Sequence, residues 1–170
     1  MSILTDIRTP SGDEKNFLGS GAVGIKPFLA LTLRRGVVSP HFNIGYQWNG
    51  KSLLAGSLIN GVKGSLPNQF FYTVGADVGL GKRLTFATDL LGQRLFGASR
   101  VLADSSFSRG GNVFPRVTFQ NTNTGLNNLA VGLKINIAGE LLLTTNVLIR
   151  LDDGGLRQNV TPLVGLSYSF

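Results

Sequence analysis

The chain has no cysteine, and its 170 residues include only one histidine, one tryptophan and one methionine. Without cysteine there is no disulfide framework and no thiol chemistry. With a single histidine, any imidazole acid–base chemistry must use His41. A zinc cluster of histidine and cysteine is excluded, and neither a nucleophile elbow nor a phosphate-binding loop is present. No run approaches the ~18 apolar residues of a membrane-spanning helix. Acidic residues are few, nine against 16 Lys and Arg, which leaves a net charge of +7. The basic residues are dispersed and form no patch, so nucleic acid is not an expected partner. The charge suits solubility, or attraction to anionic lipid headgroups. The length suits one domain spanning 1–170.

What the chain does have is alternation. Side chains of an extended strand point to opposite faces with period two. Around 128–137, Leu129, Leu133, Ile135 and Ile137 oppose Asn128, Gly132, Lys134 and Asn136. Around 141–151, Leu143, Val147 and Ile149 oppose Thr144, Asn146 and Arg150. Around 70–80, Phe70, Tyr72, Val74 and Val78 oppose Thr73, Gly75 and Asp77. Around 38–48, Phe42, Ile44, Tyr46 and Trp48 oppose Ser39, His41, Asn43 and Gln47. Val23, Ile25 and Leu29 oppose Gly24 and Lys26, while Leu84, Phe86 and Leu90 oppose Thr85 and Asp89. In the last ten residues Val164, Leu166, Tyr168 and Phe170 share one face.

Alternating segments of about ten residues separated by turn residues predict an all-β protein, either a transmembrane barrel or a soluble sandwich. Two features favour the membrane. The polar face mixes small residues with isolated charges, as a narrow packed interior would. Aromatics such as Trp48, Phe70 and Phe71 gather toward strand ends, as in interfacial girdles. The expected fold is an antiparallel up-and-down transmembrane β-barrel of eight strands. Its lipid-facing wall would be Val23, Ile25, Phe42, Ile44, Tyr72, Val74, Leu133, Ile135, Val147, Ile149, Leu166 and Tyr168.

Strand direction gives an internal check. With Ile3–Arg8 as the first strand, the short turns 34–36, 81–82 and 139–140 all fall at one end. The longer connections 10–19, 49–67, 96–120 and 152–155 fall at the other, which is the asymmetry of outer-membrane barrels. The stretch 113–127 is open to three readings, since FPRVTFQ alternates by itself: an extra strand, a loop hairpin or an extension. No secretory signal pattern is visible at Met1-Ser2-Ile3, so an exported protein is expected here in mature or trimmed form, the alternative being a chain that never meets a membrane.

An eight-stranded barrel has an interior just wide enough for side chains, so the narrow polar interior is expected to be largely plugged by them, the other reading being a solute path lined with charge. Its inward polar network would comprise Asp6, Arg8, Lys26, His41, Asn43, Gln47, Asp77, Asp89, Lys134, Asn136, Asn146 and Arg150. Charges away from water must be paired. Asp77 and Asp89 are therefore expected to pair with some of Lys26, Lys134 and Arg150. Inward glycines (Gly24, Gly45, Gly75, Gly132 and Gly165) would leave room for them.

Several patterns are decoys. GSGAVG at 19–24 matches a dinucleotide fingerprint but runs into a strand pattern containing Pro27, where a helix is required. Asp13-Glu14 and Asp152-Asp153 lack further oxygen ligands at calcium-loop spacing. Asn159-Val160-Thr161 matches a glycosylation sequon, which would carry no meaning if the chain is bacterial. No cofactor or metal is expected. His41, with Ser39 two residues away and Asp77 or Asp89 to orient it, is the one catalytic possibility. It is read instead as a hydrogen-bonded interior residue.

LTDIRTPSGDEKNFLGSGAVGIKPFLALT, SPHFNIGYQWNG, LPNQFFYTVGADVGLGKRLTFATDLLGQ and VTPLVGLSYSF together resemble outer-membrane transporters of the phenol-degradation pathway. The resemblance covers nearly the whole chain, which is shorter than typical family members and similar to their C-terminal portion. It implies a β-barrel of the bacterial outer membrane that passes small aromatic or hydrophobic solutes. The aromatic-ended last strand likewise resembles the assembly signal of such barrels, implying contact with the barrel-assembly machinery through Val164, Leu166, Tyr168 and Phe170. The expected partners are membrane lipid and a small hydrophobic solute, and the expected state is a monomer that is not an enzyme. Two other functions stay open. One is a structural or adhesive barrel acting through its loops, notably 49–67 with Leu53, Leu54, Leu58 and Ile59. The other is a lipid-modifying enzyme built on His41.

Overall fold

A computed structural model describes residues 1–57 and 59–168, and the side chains of these except at 103–105 and 107. Eight strands form one antiparallel sheet: β1 (Ser2–Arg8), β2 (Gly24–Thr32), β3 (Val38–Asn49), β6 (Asn68–Gly79), β7 (Leu84–Arg109), β8 (Asn112–Ala138), β9 (Leu141–Arg150) and β10 (Val160–Tyr168). Between β3 and β6 lies a separate hairpin of β4 (Lys51–Ser57) and β5 (Val62–Ser65). Each strand of the large sheet pairs with its neighbour in the order of the chain. The connections alternate in length as the sequence predicts. Turns at 33–37, 80–83 and 139–140 close one end, while the segments 9–23, 50–67 and 151–159 and the β7–β8 hairpin occupy the other.

The register keeps every apolar set on one side. Residues directly opposite in an antiparallel pair share a face. The row Phe42, Val74, Leu90, Leu129, Ile149 and Val160 runs across six strands through successive partners. On the other face the row Thr32, His41, Gly75, Asp89, Ala130, Leu148 and Thr161 does the same.

The sheet is not closed into a barrel, which corrects the ring expected from the sequence. Among the described residues, β1 pairs only with β2 and β10 only with β9. Arg150 N donates to Asn159 O, so the odd residues of β10 point their backbone groups at β9 and the even ones point outward. Pro162 therefore sits where its missing N–H faces a free edge, a position that suits proline. By the same parity, from Leu33 N to Pro40 O, the free edge of β1 carries the groups of Ile3, Thr5 and Ile7.

Of the three readings of 113–127, the hairpin extension holds: the segment is part of β8 and not an extra strand. β7 and β8 continue as one long hairpin to the turn at Gly110-Gly111. A bulge between Leu95 and Ala98 interrupts their register, with Gly97 in the left-handed region at φ 68°. That bulge marks where the shared sheet ends and the free arm of the hairpin begins.

The open sheet has almost no interior. Its accessible surface is 11,752 Å², whereas a compact folded monomer of 18.1 kDa exposes about 8,100 Å². The buried apolar residues among those described are Ala22, Leu53 and Ala87. Two of these lie in the long connections. Large apolar side chains such as Ile25, Val74, Val147, Val164 and Leu166 remain exposed. Burial of apolar surface is the main force in folding, and among the described residues this face stays largely uncovered.

Candidate functional site

The chemistry of the chain is concentrated on the polar face, where the sheet register brings residues distant in sequence into contact. His41 on β3 and Asp89 on β7 are separated by β6. Gly75 of β6 stands between them, opposite both. A Cβ on Gly75 would strike the Asp89 carboxylate, so glycine lets the side chain lie across the strand. His41 Nε2 meets Asp89 Oδ1 at 2.5 Å, and Nδ1 lies 3.4 Å from the Ser39 carbonyl oxygen. Both side chains are partly buried, 17% and 26% exposed, so water screens the contact only in part.

A second pair lies beside the first. Lys134 Nζ on β8 donates to both carboxylate oxygens of Asp77 on β6, at 3.0 and 2.8 Å. It passes over Ala87 of the intervening strand, which is 4% exposed. Asn146 lies over Gly132 in the same manner.

The remaining polar residues form separate clusters near the edges. Lys26 stands 3.8 Å from Asp6. It also lies over the Phe28 and Phe71 rings, 5.7 and 4.6 Å from their centres. Such placement gives a cation–π attraction. Arg8 and Gln47 both donate to Asn49 Oδ1, at 2.7 and 2.8 Å. Arg150 pairs with Asp153 at 3.1 Å, and Asn136 donates to the Gly139 carbonyl in the β8–β9 turn at 2.6 Å. Asn43 stands opposite Thr73.

These placements correct part of the expected pairing. Of the three cations named for Asp77 and Asp89, only Lys134 takes up that role. Lys26 and Arg150 reach Asp6 and Asp153, because the register sets them near the outer strands. Among the expected glycines, Gly24, Gly45, Gly75 and Gly132 lie against neighbouring side chains, while Gly165 on β10 faces open space. Phe170 of the expected terminal signal and Leu58 of the apolar loop lie outside the described residues.

The connections hold a second cluster that sequence reasoning missed. Glu14, in the 9–23 segment, accepts from Leu53 N at 3.1 Å and Ser52 Oγ at 3.5 Å, and pairs with Lys63 at 2.9 Å. It thereby ties this segment to both strands of the β4–β5 hairpin. Ser52 is fully buried and Leu53 is 7% exposed, whereas Ile59 at the hairpin tip is 96% exposed. The hydrogen bond from Lys63, then that from Leu53 N, holds the Glu14 carboxyl below the usual carboxylate range. The apolar pattern Leu53-Leu54 was visible in the sequence, but a carboxylate 39 residues away as its anchor was not.

In the β9–β10 connection, Asp152 accepts from Asn127 N at 2.5 Å and pairs with Arg157. Burial alone would raise its pKa. The hydrogen bonds from Gly154 and Asn127, together with Arg157, outweigh this and lower it.

The polar face can hold and orient charge. Among the described residues no hydroxyl hydrogen-bonds the His41 ring, and no group of three or more His, Asp or Glu side chains is arranged to hold a metal. No protein-family model matches the chain, and no curated protein matches its sequence.

Proposed function

We propose that this chain forms the wall of a β-barrel in the bacterial outer membrane, of the phenol-degradation transporter type, serving passage of small aromatic or hydrophobic solutes. The observation that carries this reading is the division of the sheet into two faces. One carries apolar residues on all eight strands, with Arg94 the single charge among the described residues, and is largely exposed, while the other holds the ion pairs. Lipid covers such an apolar face without further protein. The short-turn and long-connection ends have the asymmetry of outer-membrane barrels.

In the membrane, β1 and β10 join. They run antiparallel, and their outward backbone groups belong to residues of the apolar face on both strands: Ile3, Thr5 and Ile7 on one, Val160, Val164, Leu166 and Tyr168 on the other. Closure therefore keeps the two faces continuous. The His41–Asp89 and Lys134–Asp77 pairs, each lying along the wall across one strand, then line a narrow lumen and restrict flux. Lys26 above Phe28 and Phe71 offers an aromatic contact on that path. A second reading, a structural or adhesive barrel acting through its connections, draws on the β7–β8 arm that extends beyond the shared sheet.

The test is folding with and without detergent, read by circular dichroism and heat-modifiable gel mobility. A β-rich, heat-shifted species only in detergent or lipid is the expected result, and a monodisperse β-rich species in plain buffer overturns it. The chain has no cysteine, so a Thr5→Cys/Val164→Cys pair reports closure directly. A cross-link within one chain supports an eight-stranded ring, and one between chains supports a ring shared by copies. Solute flux through reconstituted protein then separates transport from the adhesive reading.

A further inference from the structure

The apolar face of the large sheet carries a single charged side chain among the described residues, Arg94 on β7. Following the register through every strand, the positions sharing its face are otherwise apolar, glycine, proline or uncharged polar. An isolated cation on such a face is costly unless something answers it. No carboxylate pairs with Arg94 among the described residues. Asp152, whose carboxylate accepts from Asn127 N, is already paired with Arg157.

Arg94 sits at the end of the sheet next to the bulge, inside an aromatic collar. Tyr46 and Phe70 share its row, Tyr72 lies one row below, and Trp48 and Phe96 one row above. Tyr46 packs against Trp48 and Phe96 with ring centres 4.7 and 6.0 Å apart. The Arg94 guanidinium carbon is 5.9 Å from the centre of the Phe96 ring. Opposite Arg94 stands Gly125, with nothing within 4 Å of where its Cβ would be. The result is a hollow of about 470 Å³ lined by Phe70, Tyr72, Arg94, Phe96, Asn123 and Asn127. Below it, Val74, Leu90 and Leu129 continue the face as an uncharged strip.

We propose that this hollow binds the phosphate of an anionic lipid headgroup, with Arg94 as the cation that holds it. A guanidinium presents a planar fork of donors suited to phosphate. The Asn123 and Asn127 side-chain amides add neutral donors, the aromatic collar matches the headgroup level, and the apolar strip matches an acyl chain. A lipid is favoured over a soluble anion because charge and apolar strip are continuous on one face. The inference rests on the proposal that this face meets lipid.

The experiment places wild type, Arg94→Gln, Arg94→Lys and Gly125→Leu in nanodiscs of phosphatidylcholine with phosphatidylglycerol. Native mass spectrometry then reads the ratio of the two lipids retained on the protein. Arg94→Gln is expected to lower the phosphatidylglycerol share about fivefold, equivalent to about 1 kcal/mol, with Arg94→Lys intermediate. Gly125→Leu fills the hollow and keeps the charge, and is expected to give a comparable loss. An unchanged ratio in both Arg94→Gln and Gly125→Leu overturns the site while leaving the membrane reading intact. An equal loss in Lys82→Gln, at the opposite end of the sheet, marks diffuse attraction and also overturns it. Displacement of the lipid by inorganic phosphate overturns the assignment to lipid. Failure of the wild type to enter the bilayer overturns the site and the membrane reading together.

Discussion

His41 and Asp89 meet at 2.5 Å across an intervening strand, over the bare backbone of Gly75. Forty-eight residues separate them in sequence, and one glycine makes the contact sterically possible.

That dependence gives the first prediction. Gly75→Val forces Asp89 aside and breaks its contact with His41, at a cost of about 1–3 kcal/mol from overpacking. Because His41 is the only histidine, its imidazole gives one unambiguous set of ring NMR signals that reports the loss directly. An unmoved signal and an unchanged unfolding midpoint in Gly75→Val would show that the site has room for a side chain.

Asp77 and Lys134 are each about a third exposed, 27% and 35%. Solvent screens such a pair, so a double-mutant cycle with Asp77→Asn and Lys134→Met is expected to give a coupling of about 0.2–1 kcal/mol. The coupling should shrink with added salt. A coupling indistinguishable from zero at low salt would mean that the pair does not persist in solution.

Glu14 joins the 9–23 segment to the β4–β5 hairpin, and its folded pKa is depressed by the bonds from Lys63 and Leu53 N. A depressed carboxyl contributes stability above its unfolded pKa, about 4.3, and loses it as pH falls through the folded value. The Leu53 amide should therefore be protected from hydrogen exchange at neutral pH and lose protection in acid below that range. Glu14→Gln should show the weaker protection at every pH. Equal protection in both proteins at neutral pH would remove the carboxylate from this role.

Leu133 lies on the apolar face, with Phe86 beside it on β7 and Thr145 on β9. If that face meets lipid near the midplane, Leu133→Arg costs about 2–4 kcal/mol in bilayers. Unfolding measured in lipid vesicles checks this, and unchanged stability there would argue against a lipid-facing position.

Much of the sheet was legible in the sequence, because alternation of side chains is a local property of an extended backbone. Segments around Phe42, Tyr72, Leu133 and Val147 declare both their strand character and their apolar side without help from any partner. The turns at 81–82 and 139–140 were legible for the same local reason, and with them the alternation of short and long connections. Even Gly75 and Gly132 could be placed on the polar face from parity alone.

The contacts were not legible, because they depend on register between strands and on side-chain reach. Periodicity names Asp89 as polar-facing but does not say that His41 reaches it, while Lys26 turns to Asp6 and Arg150 to Asp153. Nor does it show that Glu14 anchors Leu53, or that β7 and β8 continue past a bulge at Gly97 as one arm. Alternation is also indifferent to whether the first and last strands meet, since closing a sheet leaves every side chain on the face it already had. The composition and period of this chain by themselves determined eight strands and two dissimilar faces. Only the tertiary arrangement decided which charges meet and, among the described residues, that Arg94 is the one charge on the apolar side and that β1 and β10 do not pair with each other, because hydrogen-bond pairing between distant segments is a property of the assembled sheet.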